Sequence, residues 1–241
     1  INHWTPDGDK EFPIDTLSPR LRLKDSYDKI FEATKDVQGV MDGIESKVFG
    51  IGLESYTVGS HEFCMGYVMS KQSDHIMLTL DCGHYHPTEV VSAKLGSVYA
   101  FADHCLLHVS RPVRWDSDHV VRYDDELKAI MDELVRLGKL DATYIATDYF
   151  DASINRIVAW LTGLRNARKA LLASLLTPVD ELKKYEAEGD NSSRLAVSEL
   201  YKTAPVGAIW DYYCEKKNAG VGREWLDEVK KYEAEVLSKR K

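Results

Sequence analysis

Short apolar runs alternate with longer segments of helical spacing through the first part of the chain. The runs span residues 39–45, 75–81, 105–110 and 142–148, and each has the length of a strand and is bounded by polar residues or glycine. The segments between them are typical of helices, most clearly 124–138, where apolar residues share one face and glycine follows. Strands that alternate with helices predict an α/β fold with a parallel sheet.

The two ends of the chain depart from this alternation. The opening residues, "INHW", resemble the end of a further strand that runs into a turn, which gives five strand ends in all. The chain begins without methionine, so we expect a fragment of a longer protein. From about residue 152 onward only helical patterns follow, in residues 154–176, 179–188, 193–203, 206–217 and 223–240. The sequence therefore predicts a sheet-containing part over 1–151 and an all-helical extension over 152–241.

Composition narrows the class of protein. The net charge is −8, and the basic residues are spread over the helical segments instead of forming one stripe, which argues against nucleic-acid binding. No apolar run approaches the roughly 20 residues that cross a bilayer, and the N-terminus carries no signal pattern, so we expect a cytoplasmic protein without a membrane partner. The four cysteines are widely spaced with no C-x-x-C pair, which predicts free thiols.

Ionisable residues fall at the ends of the four predicted strands. Glu45, Asp81, His108 and Asp148 each lie at or near the C-terminal end of an apolar run, one in each strand–helix unit. Active sites of parallel α/β proteins are built at these ends, so we expect the four side chains to converge.

Two further groups extend this set. His84 follows Asp81 by three residues, and Asp116 and Asp118 flank Ser117 in "RPVRWDSDH", which we interpret as an extended loop with both carboxylates on one side. Carboxylates with two imidazoles suit Mn²⁺, Mg²⁺ or Co²⁺ better than a metal that prefers thiolates, and the set is large enough for two ions.

Each of these residues also has an ordinary explanation. An aspartate at a strand end commonly caps the next helix, a histidine in an apolar strand is commonly a hydrogen-bonded core residue, and "DSD" is typical of a solvated turn. Four consecutive strand ends with metal-compatible residues favour a site over these explanations. Lys47 is either a surface lysine or a cation that polarises a substrate oxygen, and Trp4 is either a core residue or one that stacks on a sugar.

Four stretches carry a resemblance to a known family. They are "GIGLESYTVGSHEF", "LDCGHYHPTEV", "HVSRPVRWDSDHVV" and "DYFDASINRIVAW". These stretches closely resemble L-rhamnose isomerases, metal-dependent aldose–ketose isomerases that are related to xylose isomerases. The resemblance covers the whole chain but only roughly the C-terminal three-fifths of the family's length.

The resemblance implies a fold, an assembly and a reaction. The fold is a TIM (β/α)₈ barrel, of which this chain holds strands four to eight, with a helical C-terminal extension, and the assembly is a homotetramer. The reaction interconverts L-rhamnose and L-rhamnulose by a metal-assisted 1,2-hydride shift. Two divalent ions are implied, commonly Mn²⁺, with Zn²⁺, Co²⁺ or Mg²⁺ as alternatives.

The resemblance also assigns roles to residues. By motif, the ligands of the substrate-holding ion are Glu45, Asp81, His108 and Asp148. The ligands of the catalytic ion are His84, Asp116 and Asp118, with Asp81 bridging the two ions. Lys47 and Asp148 are the implied catalytic residues, and Trp4 and Lys47 contact the sugar.

The part of the family's length that precedes this chain bears on its activity. That N-terminal portion is implied to supply three strands and the pocket for the sugar's methyl group, so we expect it to be a partner that activity requires. Two alternatives to the isomerase stay open. One is a related sugar epimerase or aldolase on the same barrel, and the other is a non-catalytic fragment that binds metal.

Overall fold

The computed structural model describes residues 1–4, 11–47, 56–71, 73–86, 88–113 and 115–240, without the side chains of 115–117. In chain order, the elements are β1 (Asn2–His3), α1 (Ser18–Thr34), β2 (Asp42–Glu45), α2 (His61–Lys71), β3 (Ile76–Asp81), α3 (Ser92–Tyr99), β4 (Cys105–Val109), β5 (Arg111–Val113), β6 (Trp115–His119), α4 (Asp125–Leu137), β7 (Thr143–Thr147), α5 (Arg156–Leu175), α6 (Val179–Ala187), α7 (Asn191–Tyr201), α8 (Val206–Lys216) and α9 (Glu224–Glu235). The chain divides into two compact units. One contains residues 1–119 and 137–150, and the other contains 120–136 and 151–241.

The first unit is built on a five-stranded sheet with the order β1-β2-β3-β4-β7. Every pairing in it is parallel, so the C-terminal ends of all five strands lie at the same edge. The predicted α/β class and parallel sheet are confirmed, and so are the five strands. The described strands form an open sheet with β1 and β7 at its edges, and the closed barrel stays a prediction.

The core of this unit lies on the central strands. Ile44, Leu78, Leu80 and Leu107 are completely buried, and every residue of β2 is buried. Parallel strands covered on both faces read as nearly continuous apolar runs, which explains why periodicity identified them without an alternating pattern. The edge strand β7 differs, because Tyr144 and Ile145 within it are exposed.

Residues 111–119 correct one prediction from the sequence. The segment that we interpreted as an extended loop is an antiparallel pair of strands, with Arg111 opposite His119 and Val113 opposite Trp115. Its residues are mostly polar or charged, so hydrophobic alternation gave no signal for a strand. A strand and an extended loop share the two-residue period, and the expectation that alternate side chains point to one side is therefore unaffected.

The second unit is helical in the described residues. Helices α5 to α9 match the five predicted segments, and α4 buries four of the apolar residues of its predicted face, Leu127, Ile130, Met131 and Leu134. Gly138 ends α4 with φ of 66°, as its position after the last apolar residue predicts. Asn155 caps α5 by accepting hydrogen bonds from two backbone amides, and its amide donates to Glu233 on α9 at 2.6 Å. Whether residue 151 marks a domain boundary stays a prediction.

Two expectations from composition can be compared with the structure. The four cysteines lie among the described residues, all are buried and none is in a disulfide, in agreement with the prediction of free thiols. Among the described residues, no helix has both the length and the apolar character that crossing a membrane demands.

A carboxylate joins α1 to α2 in the first unit. Asp28 accepts hydrogen bonds from Lys24 at 2.7 Å, from the Tyr67 hydroxyl at 2.9 Å and from Lys71. The ammonium groups of Lys24 and Lys71, together with the Tyr67 hydroxyl, hold the pKa of Asp28 well below its ordinary value of 3.8. The folded protein therefore favours the ionised form of this carboxyl.

Replacing Asp28 by asparagine tests this connection. We expect Asp28→Asn to lower the free energy of unfolding by about 1 kcal/mol at pH 7, measured by urea denaturation of the purified protein. Because folding depresses the pKa, the advantage of the wild type is complete above the unfolded pKa and is lost as the pH falls through the folded pKa. The difference should therefore narrow below about pH 4. Asp25→Asn, which removes an exposed pair with Lys29 in the same helix, is the control and should change little. An equal loss of unfolding free energy in both variants would contradict the role of Asp28 in joining α1 to α2.

Candidate metal centre

Four strand-end side chains meet at the C-terminal edge of the sheet. Glu45 ends β2, Asp81 ends β3, His108 lies on β4 opposite Asp81, and Asp148 directly follows β7. Their ligand atoms all lie within 4.8 Å of one another. The backbone amide of Asp148 donates to the Val109 carbonyl at 3.3 Å, which ties the end of β7 to the end of β4. The structure thus brings together the residues that strand position alone had grouped.

A second group adjoins the first and shares Asp81 with it. Asp81, His84 and Asp118 place ligand atoms within 4.8 Å of one another. His84 reaches the group because the chain turns directly after β3, where the Gly83 amide donates to the Asp81 carboxylate at 2.7 Å. Asp118 comes from β6, and the Phe150 amide donates to its carbonyl at 3.1 Å. The side chain of Asp116 lies outside the described residues.

The two most buried carboxylates have unequal oxygens. One oxygen of each is held by donors of the chain: Glu45 Oε2 accepts from the Asn2 amide, and Asp81 Oδ1 accepts from the Gly83 amide and the Ser110 hydroxyl. The other oxygens, Glu45 Oε1 and Asp81 Oδ2, are buried and have no hydrogen-bond partner among the described residues. Both second oxygens face the histidines. Glu45 Oε1 lies 3.0 Å from His84 Nδ1, and Asp81 Oδ2 lies 3.5 Å from His108 Nδ1.

Burial and charge oppose each other in this cluster. Burial lowers the pKa of His108, but the carboxylates of Asp148, Asp81 and Glu45 more than offset it and raise that pKa to about 11. Burial works to raise the pKa of Glu45, yet the imidazoles of His108 and His84 bring it well below its ordinary value. For Asp81 burial dominates, so its pKa is raised. The imidazoles and the carboxylate of Glu45 therefore favour each other's charged forms, whereas burial disfavours the charged form of Asp81.

A divalent cation fits the donors that the structure assembles. Buried carboxylate oxygens without donors are costly unless a positive charge faces them. The two groups offer only carboxylate oxygens and imidazole nitrogens, a set that suits Mn²⁺, Co²⁺, Mg²⁺ or Zn²⁺. Because Asp81 belongs to both groups, two neighbouring candidate positions for cations share one carboxylate.

The two predicted sugar-contacting residues lie next to each other. Lys47, two residues after Glu45, is 6 % exposed, and its Nζ lies 4.7 Å from the centroid of the Trp4 ring. Burial lowers the pKa of His84, but the carboxylates of Glu45 and Asp81 raise it overall, and the positive charge of Lys47 opposes that rise, which places the ammonium near the second group. The alternative of a surface lysine is therefore wrong. Trp4 is half-buried, and its indole Nε1 has no hydrogen-bond partner among the described residues.

Sequence reasoning missed the residues that hold the carboxylates in place. Asn2 and Ser110 donate to Glu45 and Asp81, and neither stood out by spacing or motif. Thr79 contacts Asn2 and was the one available signal, because it is a polar residue inside the apolar run "HIMLTLD". A completely buried hydroxyl in a strand needs a partner, and that need points to a polar network.

Comparison with known proteins places the chain in a family. The sequence model of one family, described as L-rhamnose isomerase (RhaA), matches residues 1–240. The chain belongs to the L-rhamnose isomerase family. An L-rhamnose isomerase of Rhodopirellula baltica is 52 % identical over 239 residues, which cover 99 % of this chain and 55 % of that protein. The L-rhamnose isomerase of Mannheimia succiniciproducens is 53 % identical over 240 residues, which cover all of this chain and 57 % of that protein.

The chain covers only part of the length of its relatives. The L-rhamnose isomerase of Salmonella newport is 51 % identical over 240 residues and is likewise covered to 57 % of its length. The chain thus spans somewhat more than half the length of the curated relatives that it matches. The resemblance to this family is confirmed.

Cation binding at the cluster can be measured through stability. A ligand that binds only the folded state stabilises it, by about 2.7 kcal/mol at a concentration 100 times its Kd. We expect Mn²⁺ to raise the thermal midpoint of the purified protein and EDTA to reverse the rise. His108→Ala should remove most of the effect, whereas His75→Ala, an exposed histidine at the opposite end of β3, should keep it. If Mn²⁺ raises the midpoint of His108→Ala as much as that of the wild type, the ion binds elsewhere.

Proposed function

We propose that this chain is the metal-bearing part of an L-rhamnose isomerase, which interconverts L-rhamnose and L-rhamnulose by a metal-assisted 1,2-hydride shift. The observation that carries the proposal is the pair of adjoining carboxylate–imidazole groups that share Asp81, in a chain of this family. A reaction that moves hydrogen between neighbouring carbons requires two neighbouring oxygens of the sugar to be held and polarised together, and two cation positions side by side suit that requirement.

The seven predicted ligands divide between two positions in this proposal. Glu45, Asp81, His108 and Asp148 hold the substrate-binding ion, and His84, Asp116 and Asp118 hold the catalytic ion with Asp81. Within each set, the described members lie close enough to one another to bind one ion together. Mn²⁺ is the proposed metal. When bound, the ions supply Lewis-acid polarisation of the sugar oxygens and lower the pKa of a coordinated water.

Lys47, Trp4 and Asp148 are proposed to act on the substrate directly. The Trp4 ring beside the Lys47 ammonium restricts where that cation can lie, and we assign the cation to a substrate oxygen. An aromatic ring at the end of a strand also suits stacking against a sugar. Asp148 is the most accessible of the four residues in the first group, with 35 % of its side chain exposed, so substrate can reach it.

The N-terminal portion is proposed to complete the sheet as a barrel. Strands β1 and β7 each have one unpaired edge in the described sheet, and Tyr144 and Ile145 expose apolar side chains on β7. Parallel sheets are rarely left open to water at such edges. The chain spans 55 to 57 % of its relatives, and we assign the closing strands and the pocket for the sugar's methyl group to the remainder. A homotetramer in the cytoplasm is part of the same proposal.

The activity is tested in the protein completed by its N-terminal portion. We expect conversion of L-rhamnose to L-rhamnulose in the presence of Mn²⁺, loss of conversion after treatment with EDTA, and recovery when Mn²⁺ is restored. His84→Ala and Asp116→Ala should each abolish turnover, because each removes a proposed ligand of the catalytic ion. His86→Ala is the control, since His86 contacts Thr88 and belongs to neither group.

Other outcomes of this assay separate the alternatives. Activity that survives complete removal of metal would exclude a metal-assisted reaction. Binding of Mn²⁺ without turnover of any aldose would identify a non-catalytic metal-binding protein. Conversion of L-rhamnose to a different aldose, or cleavage of its carbon chain, would identify an epimerase or an aldolase.

The role of Lys47 predicts a separate kinetic effect. We expect Lys47→Met to lower kcat by about 100-fold, because it removes a positive charge that stabilises the transition state, while Mn²⁺ affinity stays near that of the wild type. Lys94→Met is a matched control, because Lys94 also lies over an aromatic ring, that of Tyr85 at 4.4 Å, but contributes to neither group. Steady-state kinetics together with calorimetric titration of Mn²⁺ measure both quantities. An unchanged kcat in Lys47→Met would show that the lysine has no part in the reaction.

A further inference from the structure

Three polar side chains form a hydrogen-bonded network that ends at Glu45 in the candidate metal centre. The Thr79 hydroxyl donates to Asn2 Oδ1 at 2.8 Å, and the Asn2 amide donates through Nδ2 to Glu45 Oε2. Thr79 is completely buried and Glu45 is 5 % exposed, so these groups find their partners in one another. The three residues lie on three consecutive strands of the sheet, β3, β1 and β2.

The contact between Asn2 and Thr79 has to cross a strand. Asn2 lies on β1 and Thr79 on β3, and β2 runs between them, with Gly43 opposite Asn2 in the register. A Cβ at residue 43 would lie 2.5 Å from Thr79 Oγ1 and 3.2 Å from Asn2 Oδ1. Because Gly43 has no side chain, the two polar groups meet over the backbone of β2.

The hydrogen-bonding groups of Thr79 and Glu45 fix which end of the Asn2 amide faces each of them. A carboxylate accepts hydrogen bonds only, so the amide must present its NH₂ to Glu45. Its carbonyl oxygen then faces Thr79, whose hydroxyl can donate to it. Without that hydroxyl, the carbonyl oxygen would lose its buried donor, and only the contact with Glu45 would hold the amide in place. Thr79 therefore acts on Glu45 through Asn2.

We propose that Thr79, Asn2 and the gap at Gly43 form a positioning network that directs Glu45 Oε1 toward the first cation position. With Oε2 held by Asn2, the carboxylate cannot rotate freely, and the oxygen without a hydrogen-bond partner stays turned to His84 and His108, 3.0 and 3.4 Å away. This inference rests on the proposed metal centre. Partners of metal ligands that orient them typically change affinity 10- to 100-fold when they are removed.

Replacing Thr79 by valine tests the network, because valine keeps the shape and removes the hydroxyl. In the completed protein, we expect Thr79→Val to weaken Mn²⁺ binding by about 10-fold in a calorimetric titration. Thr79→Ser retains the hydroxyl and should restore affinity to near that of the wild type. A role in folding alone would lower stability in Thr79→Val without this change in Mn²⁺ affinity.

Thr143→Val is the matched control. Thr143 lies in the same sheet, and its hydroxyl donates to the Lys139 carbonyl at 2.6 Å, away from both groups. This variant should lose thermal stability in the metal-free state but bind Mn²⁺ as the wild type does. Equal affinities of Thr79→Val and the wild type would overturn the network. A wild-type protein that binds no Mn²⁺ would overturn the metal centre itself and the network with it.

Two more variants keep the test decisive if Thr79→Val does not fold. Asn2→Ala removes the donor to Glu45 at a half-buried position, and Gly43→Ala forces the Asn2–Thr79 contact apart. Both should weaken Mn²⁺ binding by a similar factor, whereas Gly66→Ala should not, because a Cβ there meets nothing within 4 Å. Wild-type affinity in both Asn2→Ala and Gly43→Ala would also overturn the network.

Discussion

The crowding of carboxylates at the ends of adjacent parallel strands is the constraint on which the rest of this structure depends. Asp81 is completely buried, and it shares its surroundings with Glu45 and Asp148. Such a group can persist only if positive charge and hydrogen-bond donors compensate it. The two imidazoles supply part of that compensation, and they are themselves groups that bind divalent cations. The arrangement that makes the site costly without an ion is therefore the one that favours binding an ion.

The parallel sheet explains why residues so distant in sequence meet. Each strand places its last residue at the same edge, and the register sets Asp81 directly opposite His108. The side chains therefore need no long loops to bring them together, and the central strands that carry them are almost entirely buried. Rigidity of these strands is the physical basis for two ligand groups that share one residue.

Sequence reasoning identified the parts of the structure that periodic patterns encode. The parallel strands, the helices and the meeting of Glu45, Asp81 and His108 follow from the length and order of apolar runs. The antiparallel pair β5–β6 could not be predicted in this way, because its residues are mostly polar and show no periodic pattern of apolar residues. The network of Asn2 and Thr79 was equally inaccessible, since it depends on which residues face each other across a third strand. The register of these strands is set by tertiary packing, so the sequence of β1 or of β3 alone does not predict it.

The candidate ligands on central strands are buried, and the one beside an edge strand is more exposed. Asp81 and Glu45 end central strands, where chain donors hold one oxygen of each and neighbouring strands cover them. Asp148 follows the edge strand β7, and 35 % of its side chain remains exposed. The central ligands are therefore preorganised by the described sheet itself, whereas Asp148 is the one whose surroundings a further strand beside β7 would change. If a further strand completes the sheet, it would act on the candidate metal centre first through Asp148, and completion of the proposed barrel would then change the affinity for an ion.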